Sequence, residues 1–152
     1  MPFSLAAPLI GIAERALQTC VQALRERSGD RRVQEGAIHM RLANSAAEID
    51  AARALMLRDC REAMEIVREG RELSLEQRAR NRRDIAYVAS QCIGALDRLF
   101  AASGAGSIFL DREAQRLLRD IHAAGQHMAL NWDVWGSGYG RVMCGLPPGR
   151  EL

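Results

Sequence analysis

The sequence has no lysine: all 21 basic residues in its 152 are arginine. GC-rich coding produces such a bias. Set against 19 acidic residues, it leaves a net charge of only +2. That excess is too small to argue for a nucleic-acid or anionic-membrane partner. Aromatic residues are scarce at 5%, and β-branched residues are few, while Ala and Leu are abundant. This composition favours helix, because Ala and Leu lose little side-chain entropy there. The four cysteines (Cys20, Cys60, Cys92 and Cys144) contain no C-x-x-C pair. A disulfide scaffold or zinc site is therefore not expected, and buried free thiols in a reducing cytoplasm are. Uninterrupted apolar runs all fall short of the roughly 18 residues that suggest a membrane span. The apolar start, Met1 to Ala13, lacks a basic n-region. Neither secretion nor membrane insertion is supported, and a cytoplasmic location is expected.

What is present is helical periodicity. The length suggests one domain, able to bury roughly two-thirds of its unfolded surface. A first helix is predicted from Leu5 to Arg27, with Leu9, Ile12, Ala13, Ala16, Leu17, Cys20, Val21 and Leu24 on one stripe. Ser28-Gly29-Asp30 breaks it. A second runs from Val33 to Glu69, and Ile38, Leu42, Ala46, Ile49, Ala52, Leu55, Met56, Cys60, Ala63 and Val67 form its stripe. Ser74 and Gln77 predict a capping box for a third helix that reaches about Ser103. Its inner face is Ile85, Val88, Ala89, Cys92, Ile93, Leu96, Leu99 and Phe100. Asp111 is placed as cap of a fourth helix, Arg112 to Trp132, with Leu117, Leu118, Ile121, Ala124 and Met128 inward. The glycines after residue 133 and Pro147-Pro148 suggest an irregular tail over 133–152. No segment alternates as a strand does. The expectation is an all-α, up-down four-helix bundle in one domain over residues 1–152.

Motifs for familiar chemistries are missing. A di-iron bundle needs Glu-x-x-His on two helices. Glu35 and His39 are one residue too far apart, and there is no second copy. There is no P-loop, no G-x-S-x-G and no recognisable Cys–His arrangement. No metal site is expected. The cluster Arg78, Arg80, Arg82 and Arg83 has no interleaved aromatics and reads as a solvated face or subunit contact.

The segment Arg82 to Pro148 carries more. It contains LF-x-x-SG, then IF, then QR-x-x-RD-x-H-x-x-x-x-H, and finally YG-x-x-x-x-GLP. SLAAPLIGIAERAL and AEIDAARALM extend the pattern upstream. Together these resemble the C-terminal helical domain of the oxygenase component of two-component flavin monooxygenases, built on the acyl-CoA dehydrogenase fold. The resemblance implies an N-terminal helical domain and a middle β-domain that are absent here. This chain alone is thus not expected to be catalytically complete.

In whole relatives the resemblance implies a reduced flavin, FMN or FAD, supplied by a separate flavin reductase, and an aromatic substrate. The bundle packs in a homotetramer. The isolated chain need not hold flavin itself. His127 matches the family's second histidine, beside the flavin ring. Oxygen chemistry there needs a group that carries a proton near neutral pH, and imidazole suits that. His122 is read as structural. The loop Ser103, Gly104, Ala105, Gly106 and Ser107 matches one that approaches the flavin phosphate of a neighbouring subunit, although the family has two adjacent glycines where this chain has Gly-Ala-Gly. Arg27, at the end of the first helix, falls where relatives place an arginine on flavin phosphate. Arg119-Asp120 matches a paired motif and reads as an ion pair or surface charges. Two alternatives remain open: an acyl-CoA dehydrogenase acting on CH–CH groups, and a non-enzymatic helical oligomerisation module.

Overall fold

The computed structural model describes residues 3–27 and 35–149. Five α-helices and two single 3₁₀ turns make up the order: α1 (Phe3–Arg27), α2 (Glu35–Arg68), α3 (Leu75–Ala102), a 3₁₀ turn (Ala105–Ile108), α4 (Glu113–Gly125), a second 3₁₀ turn (Met128–Leu130) and α5 (Trp132–Met143). No strand occurs among the described residues. The all-α expectation stands. The Ser28-Gly29-Asp30 break lies outside the described residues.

Helix α3 is the spine, with α1, α2, α4 and α5 all packed on it. Its inner face therefore covers more than one stripe. Ile85, Ala86, Val88, Ala89, Cys92, Ala95, Leu96 and Leu99 are all buried. Small residues among them let neighbouring axes approach closely. The capping box forms as predicted: the Gln77 amide donates to Ser74 Oγ, and the Ser74 amide donates to Gln77 Oε1. The pairs Ser45–Ala95, Glu48–Arg98 and Glu62–Arg80 make α2 and α3 an antiparallel hairpin. The contacts Tyr87–Trp132, Arg82–Trp135 and Arg83–Tyr139 make α5 antiparallel to α3 as well.

Helix α2 departs from its predicted stripe in an instructive way. The buried residues are Ser45, Ile49, Ala52, Asp59 and Ile66. Ser45, Ala52, Asp59 and Ile66 recur every seventh position, the repeat that keeps one seam of a long helix against a partner. The prediction had Ala46, Cys60 and Val67 on that face, each one residue late, and Val67 is 60% exposed. Two members of the true seam are polar, so a reading guided by hydrophobicity passed over them.

The C-terminal third corrects two expectations. The predicted helix over 112–132 ends at Gly125, restarts as a 3₁₀ turn and then becomes α5. A Cβ on Gly125 would lie 2.6 Å from Ile93 Cδ1, so α4 meets α3 closely there. Met128, expected inward, is 73% exposed because it lies beyond that break. The segment read as an irregular tail contains α5, whose first turn is capped by Asn131 Oδ1 accepting from the Val134 amide. Its glycines are tolerated because Trp135 packs into the bundle and Arg82 and Arg83 lie on its aromatic rings. Asp111 is not the cap of α4. Arg112 holds that position without a side-chain bond, after a turn closed by the Arg112 amide on Phe109 O.

Candidate functional site

The predicted loop begins where α3 stops. The Ser103 amide donates to Phe100 O, and Ser103 Oγ donates to Leu99 O at 2.8 Å. Gly104 has φ of +80°, a conformation that L side chains rarely adopt. The amide and Oγ of Ser107 both donate to Gly104 O, at 3.1 and 2.7 Å. The two serine hydroxyl protons are thus committed to backbone carbonyls of the loop and of the α3 end. Gly104, Ala105 and Gly106 are exposed and open to approach by a second molecule, while Ser107 is buried.

Ser103, Gly106 and Ser107 form one wall of an open cleft of about 410 Å³. Thr19, Gln22 and Glu26 of α1, and Arg112 and Glu113 at the start of α4, form the others. Glu113 accepts two bonds from Arg15, both 2.9 Å, and a third from Thr19 Oγ1 at 3.0 Å. The Arg15 hydrogen bonds hold its carboxyl below the usual carboxylate range. Arg112, 3.9 Å from Asp111, is the cleft's basic residue, and Glu26 and Glu113 put negative charge on the other walls. Arg27 ends α1, and its side chain lies outside the described residues.

His127 is at the opposite end of α4. That helix has 13 residues, so at 1.5 Å per residue the loop and His127 are about 20 Å apart. The structure does not bring the two candidate groups into one pocket of one chain. His127 caps the second 3₁₀ turn: its Nδ1 accepts from the Ala129 amide at 3.1 Å, and its carbonyl accepts from the Leu130 amide at 2.8 Å. A neutral imidazole with Nδ1 as acceptor carries its proton on Nε2. The residue is exposed, so that N–H is available to a molecule outside the bundle. Nearby along the chain are Met128, 73% exposed, and Trp132, 43% exposed; the Trp132 ring is 5.6 Å from that of Tyr87. An exposed imidazole is thus followed along the chain by an exposed thioether and a half-exposed indole, side chains that can meet a conjugated ligand through dispersion and ring contact.

The remaining predicted residues have other partners. His122 Nε2 lies 2.7 Å from Asp97 Oδ1, tying α4 to α3. Arg119 and Asp120 are both exposed, and Asp120 pairs with Arg116 at 3.4 Å. Of the arginine cluster, Arg80 pairs with Glu62, Arg82 lies over Trp135, and Arg83 pairs with Asp84 and lies over Tyr139. Cys20 and Cys92 are buried, and burial pushes the Cys92 thiol up to about 12. Cys144 is exposed, contrary to expectation, because it ends α5 at the surface.

Sequence reasoning missed two clusters. One is a buried polar seam between α2 and α3, where Asp59, Asn81 and Asp84 are almost fully enclosed. Arg58 bridges Asp59 Oδ1 at 2.7 Å and Asp84 Oδ2 at 2.8 Å, while Asp59 Oδ2 and Asn81 Oδ1 have no protein donor. Burial raises the Asp59 carboxyl above its ordinary range, and Asp84 adds to this, against the Arg58 hydrogen bond. The other is the aromatic set Trp132, Trp135 and Tyr139. Their helical spacing was a usable signal, obscured by the glycines between them.

Such a helical bundle, with a glycine loop and a histidine turn at opposite ends of one helix, defines a recognisable class. Residues 3–132 match the family described as acyl-CoA dehydrogenase, C-terminal domain, and the chain belongs to that family. It is 31% identical over 156 residues to the oxygenase subunit HsaA of a flavin-dependent monooxygenase from Mycobacterium tuberculosis, covering 99% of this chain and 40% of that protein. It is 33% identical over 160 residues to the oxygenase component of an FADH2-dependent resorcinol hydroxylase from Rhizobium sp., covering 97% and 39%. The crystal structure of HsaA superposes with a TM-score of 0.87 over 97% of this chain and 39% of that one. XiaF from Streptomyces sp., solved with FADH2 and glycerol, gives 0.87 at 25% identity over 96% and 38%. The chain spans about two-fifths of the length of these relatives.

Proposed function

We propose that this chain is the bundle domain of the oxygenase component of a two-component, flavin-dependent monooxygenase acting on an aromatic substrate. The observation that carries the reading is His127, which matches the family histidine and turns an Nε2–H outward beside the uncovered Met128 and Trp132. When bound, a reduced flavin, FMN or FAD, supplies the electrons that activate dioxygen, and a separate flavin reductase supplies the flavin. In this scheme His127 is the catalytic residue. It holds a proton at Nε2 toward the cofactor, where a fixed donor is worth more than one in water. The patch from Met128 to Trp132 orients the ring and excludes solvent from one face.

Ser103, Gly104, Ala105, Gly106 and Ser107 form the cofactor-binding loop, together with Arg27. The distance of about 20 Å along α4 supports a division of labour: each copy offers His127 to one flavin and its loop to a neighbour's. The uncovered side chains Ile108, Phe109 and Leu110, 59–75% exposed just after the loop, support a homo-oligomer, a tetramer as in the family. We place the assembly in the cytoplasm. The N-terminal helical and middle β parts carried by whole relatives complete the pocket, so this chain alone hydroxylates nothing and need not retain flavin.

The test is His127→Ala in a protein completed with those parts. Hydroxylation of the aromatic substrate, per reduced flavin consumed, is expected to fall about ten- to a thousandfold. His122→Ala is expected to leave the chemistry near the parent's. If His127→Ala hydroxylates like the parent, the assignment of this residue is wrong.

A further inference from the structure

The hydrogen bond that sets the His127 tautomer is itself set from the other side. The Ala129 N–H that donates to His127 Nδ1 belongs to the same peptide unit as the Met128 carbonyl. A peptide unit is planar and its C=O and N–H point in opposite directions. Whatever grips the carbonyl therefore aims the amide. The Met128 carbonyl accepts from Trp135 Nε1–H at 3.1 Å, and from the Asn131 amide at 3.2 Å. Trp135 is 5% exposed, and the Arg82 guanidinium lies 4.7 Å from its ring centroid. The indole, carried by α5, is thus held against α3, and its one polar atom donates to this carbonyl.

We infer that Trp135 is the positioning residue for His127: its indole N–H, acting through the Met128–Ala129 peptide, fixes the imidazole with Nδ1 as acceptor and Nε2–H outward. The order is Trp135 Nε1–H to Met128 O, then Ala129 N–H to His127 Nδ1. Each bond polarises the next, because a carbonyl that accepts a hydrogen bond makes its amide a better donor. Arg82 acts one step further back, holding the indole face through a cation–π contact. The consequence for catalysis rests on the reading of His127 given above, but the relay itself does not.

The relay is measured on this chain by nitrogen-15 NMR of the histidine rings and the indole N–H groups at pH 8. In the parent protein His127 should show an acceptor-type Nδ1 and a protonated Nε2. The Trp135 indole proton should exchange with water far more slowly than that of Trp132, which is 43% exposed. In Trp135→Phe, which keeps an aromatic ring but loses the donor, the Nδ1–H share of His127 should rise about fivefold, the equivalent of about 1 kcal/mol for one amide hydrogen bond. The His122 signals, set by Asp97, should stay where they are and report that the fold is intact. A folded Trp135→Phe with unchanged His127 shifts overturns the proposal. Should that variant not fold, the parent still decides: a Trp135 indole proton exchanging as fast as that of Trp132 overturns it equally. None of these readouts involves flavin, so a negative result removes the relay and leaves the His127→Ala test untouched.

Discussion

The α2–α3 hairpin and the α4–α5 end of the molecule join their helices by different means. Along the hairpin, polar side chains join two long helices, with Ser45, Asp59 and Asp84 buried among them: Ser45 donates to Ala95 O, the part-exposed Arg98 grips Glu48 at 2.8 and 2.9 Å, and the exposed Arg58 spans Asp59 and Asp84. At the other end, α5 meets α3 through aromatic rings and guanidinium faces, α4 meets it through the His122–Asp97 pair, and Trp135 of α5 grips the Met128 carbonyl of the turn between them. Buried charges in the hairpin specify register, since a slip of one turn would strand them unpaired. The aromatic end leaves His127, Met128 and Trp132 exposed. One region buries the carboxylates of Asp59 and Asp84 between helices, and the other leaves its histidine and part of its apolar surface uncovered.

Five substitutions would break or sharpen that contrast. The largest effect should come from the apolar core that both regions share. Leu96 is 1% exposed in that core, and Leu96→Ala should cost about 3 kcal/mol through lost burial and the cavity left behind. Urea unfolding would show it, and a cost under about 1 kcal/mol would mean that the core tolerates collapse there.

Asp59→Asn should act in the opposite direction. The Asp59 carboxyl is raised by burial, so its neutral form is the one the fold favours. A raised carboxyl contributes stability below its unfolded value, and that contribution is lost as pH rises through the folded one. The carboxamide cannot ionise and can donate toward Asp84. The variant should gain about 1–2 kcal/mol at pH 8, with the gain shrinking toward pH 4. Thermal melts across that range decide it, and a loss of stability at pH 8 would show that Arg58 holds Asp59 ionised.

The helix caps compare the two regions directly. Ser74→Ala removes one half of the α3 capping box and should cost about 1 kcal/mol. Asn131→Ala, at the start of α5, should cost a similar amount but show itself locally. Hydrogen exchange should quicken from Trp132 to Tyr139 while the hairpin stays protected. Uniform loss of protection would mean that α5 and the hairpin open as one unit. The smallest effect should be that of His122→Ala. The His122–Asp97 pair is nearly half exposed on both sides, and such pairs contribute about 0.2–1 kcal/mol. A larger loss by urea unfolding would mark α4 as more dependent on α3 than its burial suggests.

Much of this was legible in the residues. Helices α1 to α3, the capping box at Ser74 and most of the apolar face of α3 followed from spacing and capping chemistry, because those forces act within a few residues. The family followed from the quoted motif. The α2 seam did not, because Ser45 and Asp59 are polar and enter it only when Ala95, Arg58 and Asp84 supply partners from other positions in the chain.

The sequence by itself determined the helical class, the capping box of α3 and the residue types placed at each end of α4, since propensity and hydrogen bonding to the local backbone are properties of short segments. Only the tertiary structure decided that residues 132–143 form a helix rather than a tail. Glycines there weaken the isolated segment, and the rings of Trp135 and Tyr139, packed under Arg82 and Arg83, outweigh that weakness. It also decided which nitrogen His127 turns outward, because that choice depends on a peptide plane held by a side chain from the next helix.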